Sequence, residues 1–270
     1  MNDQEVVDKM EAVWRSIASL CETLGEGEWK TPTDCPGWSV QDQLSHLVGR
    51  ESRPLGRPPP EHVPQDVSHV KNEIGQRNEV LVDWRRPWPG AKLLEEFQEV
   101  TGQRLKVLRA MSADDFAAET QTPIGPGSVR DLLEIRILDA WVHEQDMRRA
   151  VGRPGHMEGP VVEHAIGRMA TAMPYVVGRK AQSPDGASVV FDLTGPAGRV
   201  LAITVEGTRA RPMEAAPASP TLRLTMDVET FACLACGRWE PGGVLDSGRV
   251  QIAGDQGLGK AVVEQMNFMV

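Results

Sequence analysis

The stretch from Ser128 to Gly152, SVRDLLEIRILDAWVHEQDMRRAVG, constrains the chain most, because it reads as one well-bounded helix with ionisable groups on its apolar side. Ser128 is placed as an N-cap, Asp131 suits the positive end of the dipole, Arg148 and Arg149 suit the negative end, and Gly152 with Pro154 stops the helix. At about 100° per residue, Leu132, Ile135, Asp139, Val142, His143, Asp146 and Ala150 fall on one stripe. Arg130, Glu134, Gln145 and Arg148 gather opposite and make a wet face, so the acidic groups on the stripe were not forced there. A charge buried alone is costly, and such groups are paired, neutralised or bound to a metal. Asp139 and His143 stand at i and i+4. That spacing lets both reach one metal ion, and it equally lets them form a buried hydrogen bond that orients a core imidazole; the helix alone leaves both readings open.

A chain of 270 residues exceeds the usual size of one domain, so two are expected. A formal charge of -9, with no basic patch to offset it, argues against a nucleic-acid or anionic-membrane partner. The opening MNDQEVVDKMEAVW lacks the basic and apolar regions of a signal peptide, and no run reaches the roughly 18 apolar residues that span a bilayer. A soluble, cytoplasmic protein is expected. Four cysteines are too few for a disulfide scaffold and are read as thiols.

Val6, Met10, Val13, Trp14, Ile17 and Leu20 mark a first amphipathic helix. A connector punctuated by Pro32, Pro36 and Gly37 follows, and Ser39 is placed to cap a second helix, QDQLSHLVGRE. Its apolar stripe is Val40, Leu44, Leu47 and Val48, and periodicity sets His46 away from that stripe as a solvated side chain. Pro54 to Pro64 reads as an extended loop, and helical patterns return over Val70 to Trp84 and Ala91 to Met111. No convincing strand stands out in this half, so a helical bundle with inward-facing site residues is the economical solution. After Pro160 to Val177, one more helix, the period changes. Ala187 to Leu193, Val200 to Val205, Thr221 to Met226 and Arg249 to Ile252 read as strands, with helices at Asp227 to Cys236 and Leu258 to Met269. The fold class is therefore α+β, with a helical domain over 1–158, a connecting helix and linker over 159–185, and a smaller α+β domain over 186–270.

CPGWSVQDQLSHL, DAWVHEQDMRRAVG and, more loosely, FACLACGRW and SGRVQIAGDQGLGKAV together resemble the mycothiol-dependent maleylpyruvate isomerase family. The resemblance implies a DinB-like four-helix bundle followed by a sterol-carrier-like α+β domain. It also implies a divalent metal held by a histidine of the first segment and by a carboxylate and histidine one turn apart in the second, which are His46, Asp139 and His143 here. The family commonly has Glu at the position of Asp139. Two imidazoles and a carboxylate suit zinc first, with nickel or another first-row ion as alternatives, and three protein ligands leave a place for a reactant. The implied partners are a small thiol, mycothiol, and an electrophilic substrate. The implied chemistry is either cis–trans isomerisation of a maleylpyruvate-like compound or thiol transfer. A metal- and ligand-binding protein without catalysis is the competing class.

Two further residues have divided readings. Asp146 either orients a metal ligand or pairs with Arg136 or Arg149. Arg238 is a candidate catalytic residue, because an arginine fork matches a substrate carboxylate, and is otherwise a surface arginine. Cys233 and Cys236 form a C-x-x-C without the context of a zinc ribbon or a redox site, so they are read as core. Gly254 to Ala261 nearly spells a phosphate-binding loop, but Ala261 replaces the magnesium-ligating hydroxyl, which leaves a strand-to-helix turn.

Overall fold

In the computed structural model, which describes residues 2–269, helices begin where the sequence supplies side chains for their unpaired first N–H groups. Helix α1 (Asp3–Glu22) starts at Asn2, whose side chain accepts from Glu5 N while Glu5 reaches back to the Asn2 backbone. Ser39 and Asp42 do the same for α2 (Val40–Ser52). Then come α3 (Glu73–Arg85), α4 (Gly90–Ala110) and the short α5 (Ala113–Ala117). An antiparallel hairpin of β1 (Glu119–Thr122) and β2 (Gly125–Ser128) leads into α6 (Val129–Ala150), which Ser128 and Asp131 cap.

Helices α1 and α2 each pack on both α4 and α6, which closes a four-helix ring, and α3 adds another neighbour to α2. This enclosure corrects two expectations. Twelve of the thirteen residues of α2 are buried, so His46 is not solvated; a helix surrounded on all sides has no wet face for periodicity to find. On α6 the predicted wet face is likewise mostly lost. Gln145 is buried, and Arg148 is half-buried, with its Nε donating to Glu144 Oε1 at 2.8 Å and its Nη2 to Ser16 Oγ at 3.1 Å. The β1–β2 hairpin was also unexpected. Its strands, Glu-Thr-Gln-Thr and Gly-Pro-Gly-Ser, bury almost nothing and carry no alternation to read.

The chain divides into two units between His156 and Met157. The second unit contains α7 (Pro160–Tyr175), a π-type turn at Val176–Lys180, β3 (Ser188–Thr194), β4 (Val200–Glu206), β5 (Arg209–Pro212) and β6 (Leu222–Asp227). It ends with α8 (Val228–Ala235), α9 (Pro241–Asp246), β7 (Gln251–Gly254) and α10 (Gln256–Glu264). The sheet order is β5-β4-β3-β6-β7. Strands β3 and β6 run parallel with Val189 opposite Leu222, and the other pairs are antiparallel. Helix α7, expected as a connector, packs on β5 and α8 within this unit. Strand β5, Arg-Ala-Arg-Pro, and helix α9, which opens Pro-Gly-Gly, have no apolar period and escaped the sequence reading.

The near phosphate-binding loop is the turn between β7 and α10. Gly254 has φ +93°, and a Cβ there would lie 2.3 Å from the Thr221 carbonyl oxygen, so the glycine serves close strand packing. Cys233, on α8, and Cys236, just past its end, are buried and outside any disulfide. Among the described residues, no helix is long and apolar enough to cross a membrane.

Candidate metal centre

The site begins with the turn that feeds α2. Thr33 N donates to the Trp38 carbonyl oxygen, Val40 N to that of Thr31, and Pro32 bridges to Ser39, so the CPGW segment is folded tightly before Ser39 starts the helix. Gly37 sits at φ +78°, and a Cβ there would fall 2.4 Å from the His69 ring; the turn requires glycine on both counts. Trp38 is thereby laid over the helices. Its ring centroid is 5.2 Å from that of His46 and 5.8 Å from that of His143, and its indole N–H donates to Glu79 Oε2 at 2.9 Å. Glu79 is in turn held by Arg86 at 2.7 Å and His69 at 3.0 Å.

Beneath Trp38, α2 and α6 bring His46, Asp139 and His143 together, with one ligand atom from each lying within 4.8 Å of the others. His46 Nε2 is 3.3 Å from Asp139 Oδ2, and His143 Nε2 is 3.4 Å from Asp139 Oδ1. Ligand atoms on a tetrahedral zinc with bonds of about 2.0–2.1 Å lie roughly 3.4 Å apart, so these separations match the edges of a metal site. The His46–Asp139 contact is also within hydrogen-bond reach, at the long end of the range. The imidazoles are 4% and 8% exposed and the Asp139 side chain 21%, so the cluster opens to solvent at its carboxylate.

The donor set fits a divalent metal on its protonation as well as its spacing. Thr33 Oγ1 donates to the Trp38 carbonyl oxygen at 2.8 Å and accepts from Gln43 Nε2 at 2.6 Å. The Gln43 amide is therefore turned with Oε1 toward His143 Nδ1, which must be the donor. His143 Nε2 is thereby the ring nitrogen that faces Asp139. Burial pushes His46 down to about 4, against the pull of Asp139, so this imidazole is neutral near pH 7. Its Nδ1 is buried without a hydrogen-bond partner. Burial works against the Asp139 carboxylate, but His46 and then His143 outweigh it and hold it well below the usual range. One carboxylate facing two imidazole nitrogens is a donor set that suits a divalent cation.

Asp146 pairs with Arg149 and lies beyond hydrogen-bond distance of His143, whose Nδ1 is taken by Gln43. Its Oδ2 is 3.7 Å from His143 Nδ1, while Oδ1 pairs with Arg149 Nη2 at 2.5 Å, and Arg149 Nε reaches Asp34 Oδ2 at 2.6 Å. Arg136 pairs with Glu51 instead. Arg238 stands in the second unit after α8, with Nη1 donating to the Cys236 carbonyl oxygen at 3.1 Å, and the cluster forms without it. The sequence reading missed Gln43 and Thr33. Gln43 precedes His46 by three residues and so shares its side of α2, which was the available signal.

A family model described as the mycothiol maleylpyruvate isomerase N-terminal domain matches residues 10–148, and one described as the MDMPI C-terminal domain matches residues 163–261. The crystal structure of a mycothiol-dependent maleylpyruvate isomerase is similar at 16% identity, covering 94% of this chain and 93% of that one, with a TM-score of 0.58. A mutant of that isomerase has the same identity and coverage and a TM-score of 0.54. At this identity the likeness is one of fold. A sterol carrier protein 2 like 2 from Aedes aegypti is 16% identical over 37% of this chain and 94% of its own, with a TM-score of 0.30. No curated protein matches by sequence.

Proposed function

The chain belongs to the mycothiol maleylpyruvate isomerase family, and from that premise we propose that it is a metal-dependent enzyme working with a small thiol, mycothiol. His46, Asp139 and His143 hold the metal, zinc in the first place and nickel or another first-row ion otherwise. Bound together, metal and thiol supply a sulfur nucleophile at neutral pH, which isomerises a cis double bond conjugated to a carbonyl by adding and leaving, or stays in the product when the electrophile is an epoxide.

The residues of the chain prepare for that chemistry. Gln43, fixed by Thr33, keeps the His143 proton on Nδ1 and leaves Nε2 facing Asp139. Trp38 covers the imidazole faces and limits the approach of water there. Asp139, the most exposed of the three, marks the side from which reactants arrive. The observation that carries the proposal is the convergence of two imidazoles and one carboxylate with no fourth protein ligand among the described residues. Structural zinc sites are closed by four protein ligands, whereas catalytic sites keep a place open.

The test uses the full-length protein and its His143→Ala variant, with elemental analysis, thermal melts and mycothiol addition to a panel that includes maleylpyruvate and an epoxide. Near-stoichiometric metal and thiol-dependent turnover are expected in the wild type. Both vanish in the variant while its melt is kept. A wild type that takes up neither zinc nor nickel overturns the reading and returns Asp139 and His143 to a hydrogen-bonded core pair. Bound metal with no turnover on any substrate favours the binding protein.

A further inference from the structure

The metal cluster is not the only unanswered charge along α2. Arg50 follows His46 by four residues, one turn further along the same side of the helix. The charged groups around it have partners. Arg104 Nε meets Glu51 Oε2 at 3.1 Å, Arg136 Nη1 meets Glu51 Oε1 at 3.6 Å, and Arg136 Nη2 donates to the Arg50 carbonyl oxygen at 3.1 Å. The Arg50 guanidinium has no ion pair or hydrogen bond among the described residues, and its Nε is buried without an acceptor. Buried N–H groups are nearly always satisfied, and one left open a single turn from the metal cluster is available to a group that arrives.

Local charge says what arrives. The carboxylates whose fields reach Arg50 are Asp139 and Glu51, set against the cations Arg136 and Arg53. Glu51 is already shared by two arginines. Once Asp139 ligates a divalent cation, it offsets one of the metal's two charges and is withdrawn from Arg50. The metal and Arg50 together would then keep two positive charges, of which a thiolate would offset one.

We infer that Arg50 is a specificity residue that receives a carboxylate of the electrophilic substrate, so that the site selects acidic electrophiles over their neutral esters. This rests on the metal-and-thiol reading above. The planar fork of arginine suits a carboxylate, and a charge-assisted pair formed on a half-buried guanidinium is stronger than one between neutral groups.

The experiment is calorimetric titration of maleate into the full-length wild type, Arg50→Met and Arg50→Lys, each zinc-loaded and zinc-free, with zinc content and a thermal melt recorded for each. The wild type is expected to bind maleate, more tightly with zinc. Arg50→Met loses roughly ten- to hundredfold in maleate affinity, Arg50→Lys falls between because an ammonium lacks the fork, and both keep their zinc. Dimethyl maleate, the neutral probe, should not displace maleate from the wild type. A wild type that does not bind maleate, or an Arg50→Met protein that binds it equally well, overturns the assignment. Failure of zinc to load counts against the proposed function instead, and the zinc-free titrations still read Arg50. If Arg50→Met does not fold, Arg50→Lys carries the test, and unchanged affinity there overturns the assignment.

Discussion

The two units bury different chemistry. Of twenty polar or charged residues buried among the described residues, eighteen lie in the first unit and two, Ser183 and Thr230, in the second. The second unit is held by an apolar core in which Phe191 and Phe231 meet edge to face at 6.2 Å and β6 alternates its burial. The first unit instead threads buried networks between its helices. Glu144 accepts from Ser16, Arg148 and His156, Glu51 takes Arg104 and Arg136, and Glu79 takes Trp38, His69 and Arg86. Buried polar groups add little net stability over apolar ones of the same shape, yet removing one partner is expensive. The contrast thus separates an interior packed by apolar side chains from one threaded by polar and ionic networks, which also contains the His46, Asp139 and His143 cluster.

That contrast can be broken by substitution, and hydrogen exchange measured separately over each unit reads the result. Glu144→Ala should be the most damaging, at about 3–5 kcal/mol in the first unit, because it strands the Arg148 guanidinium and removes the partner of His156. Gln43→Leu should leave the fold nearly intact but weaken zinc binding about 10- to 100-fold, since the His143 tautomer loses its anchor. A competition titration against a chelator measures this. Unaltered zinc affinity would show that the Thr33–Gln43 relay is ordinary packing. Phe231→Leu should cost least, about 1 kcal/mol in the second unit with zinc uptake unchanged, because an apolar core tolerates a hydrophobic swap. If Phe231→Leu costs as much as Glu144→Ala, the distinction between the two interiors fails.

Reactivity of the cysteines follows the same division between position and packing. Burial, with Glu144 adding to it, pushes the Cys21 thiol up to about 12, so it stays protonated and inert at neutral pH.

What could be read from the chain tracks how each element meets solvent. Capping residues Ser39 and Ser128 announced α2 and α6, because a cap is a local bond between neighbours in sequence. The strands β3, β4 and β6 were legible from their β-branched and apolar runs. The β1–β2 hairpin and β5 were not, since short polar strands leave no periodic trace. His46 is the sharpest case. Periodicity placed it in water; only its resemblance to a family motif marked it as a ligand, and the structure buries it because α3, α4 and α6 all pack around α2.

The sequence by itself determined the two-part α+β organisation, the starts of α2 and α6 and the one-turn spacing of Asp139 and His143, the last two of which depend on residues within a few turns of one another. The tertiary structure alone decided that α2 and α6 face each other, that Thr33 and Gln43 fix a tautomer 100 residues away in sequence, and that Arg50 is left without a partner while its neighbours are paired. Those features depend on which helices touch, and a helix written as a line of residues does not say what will stand against each of its faces.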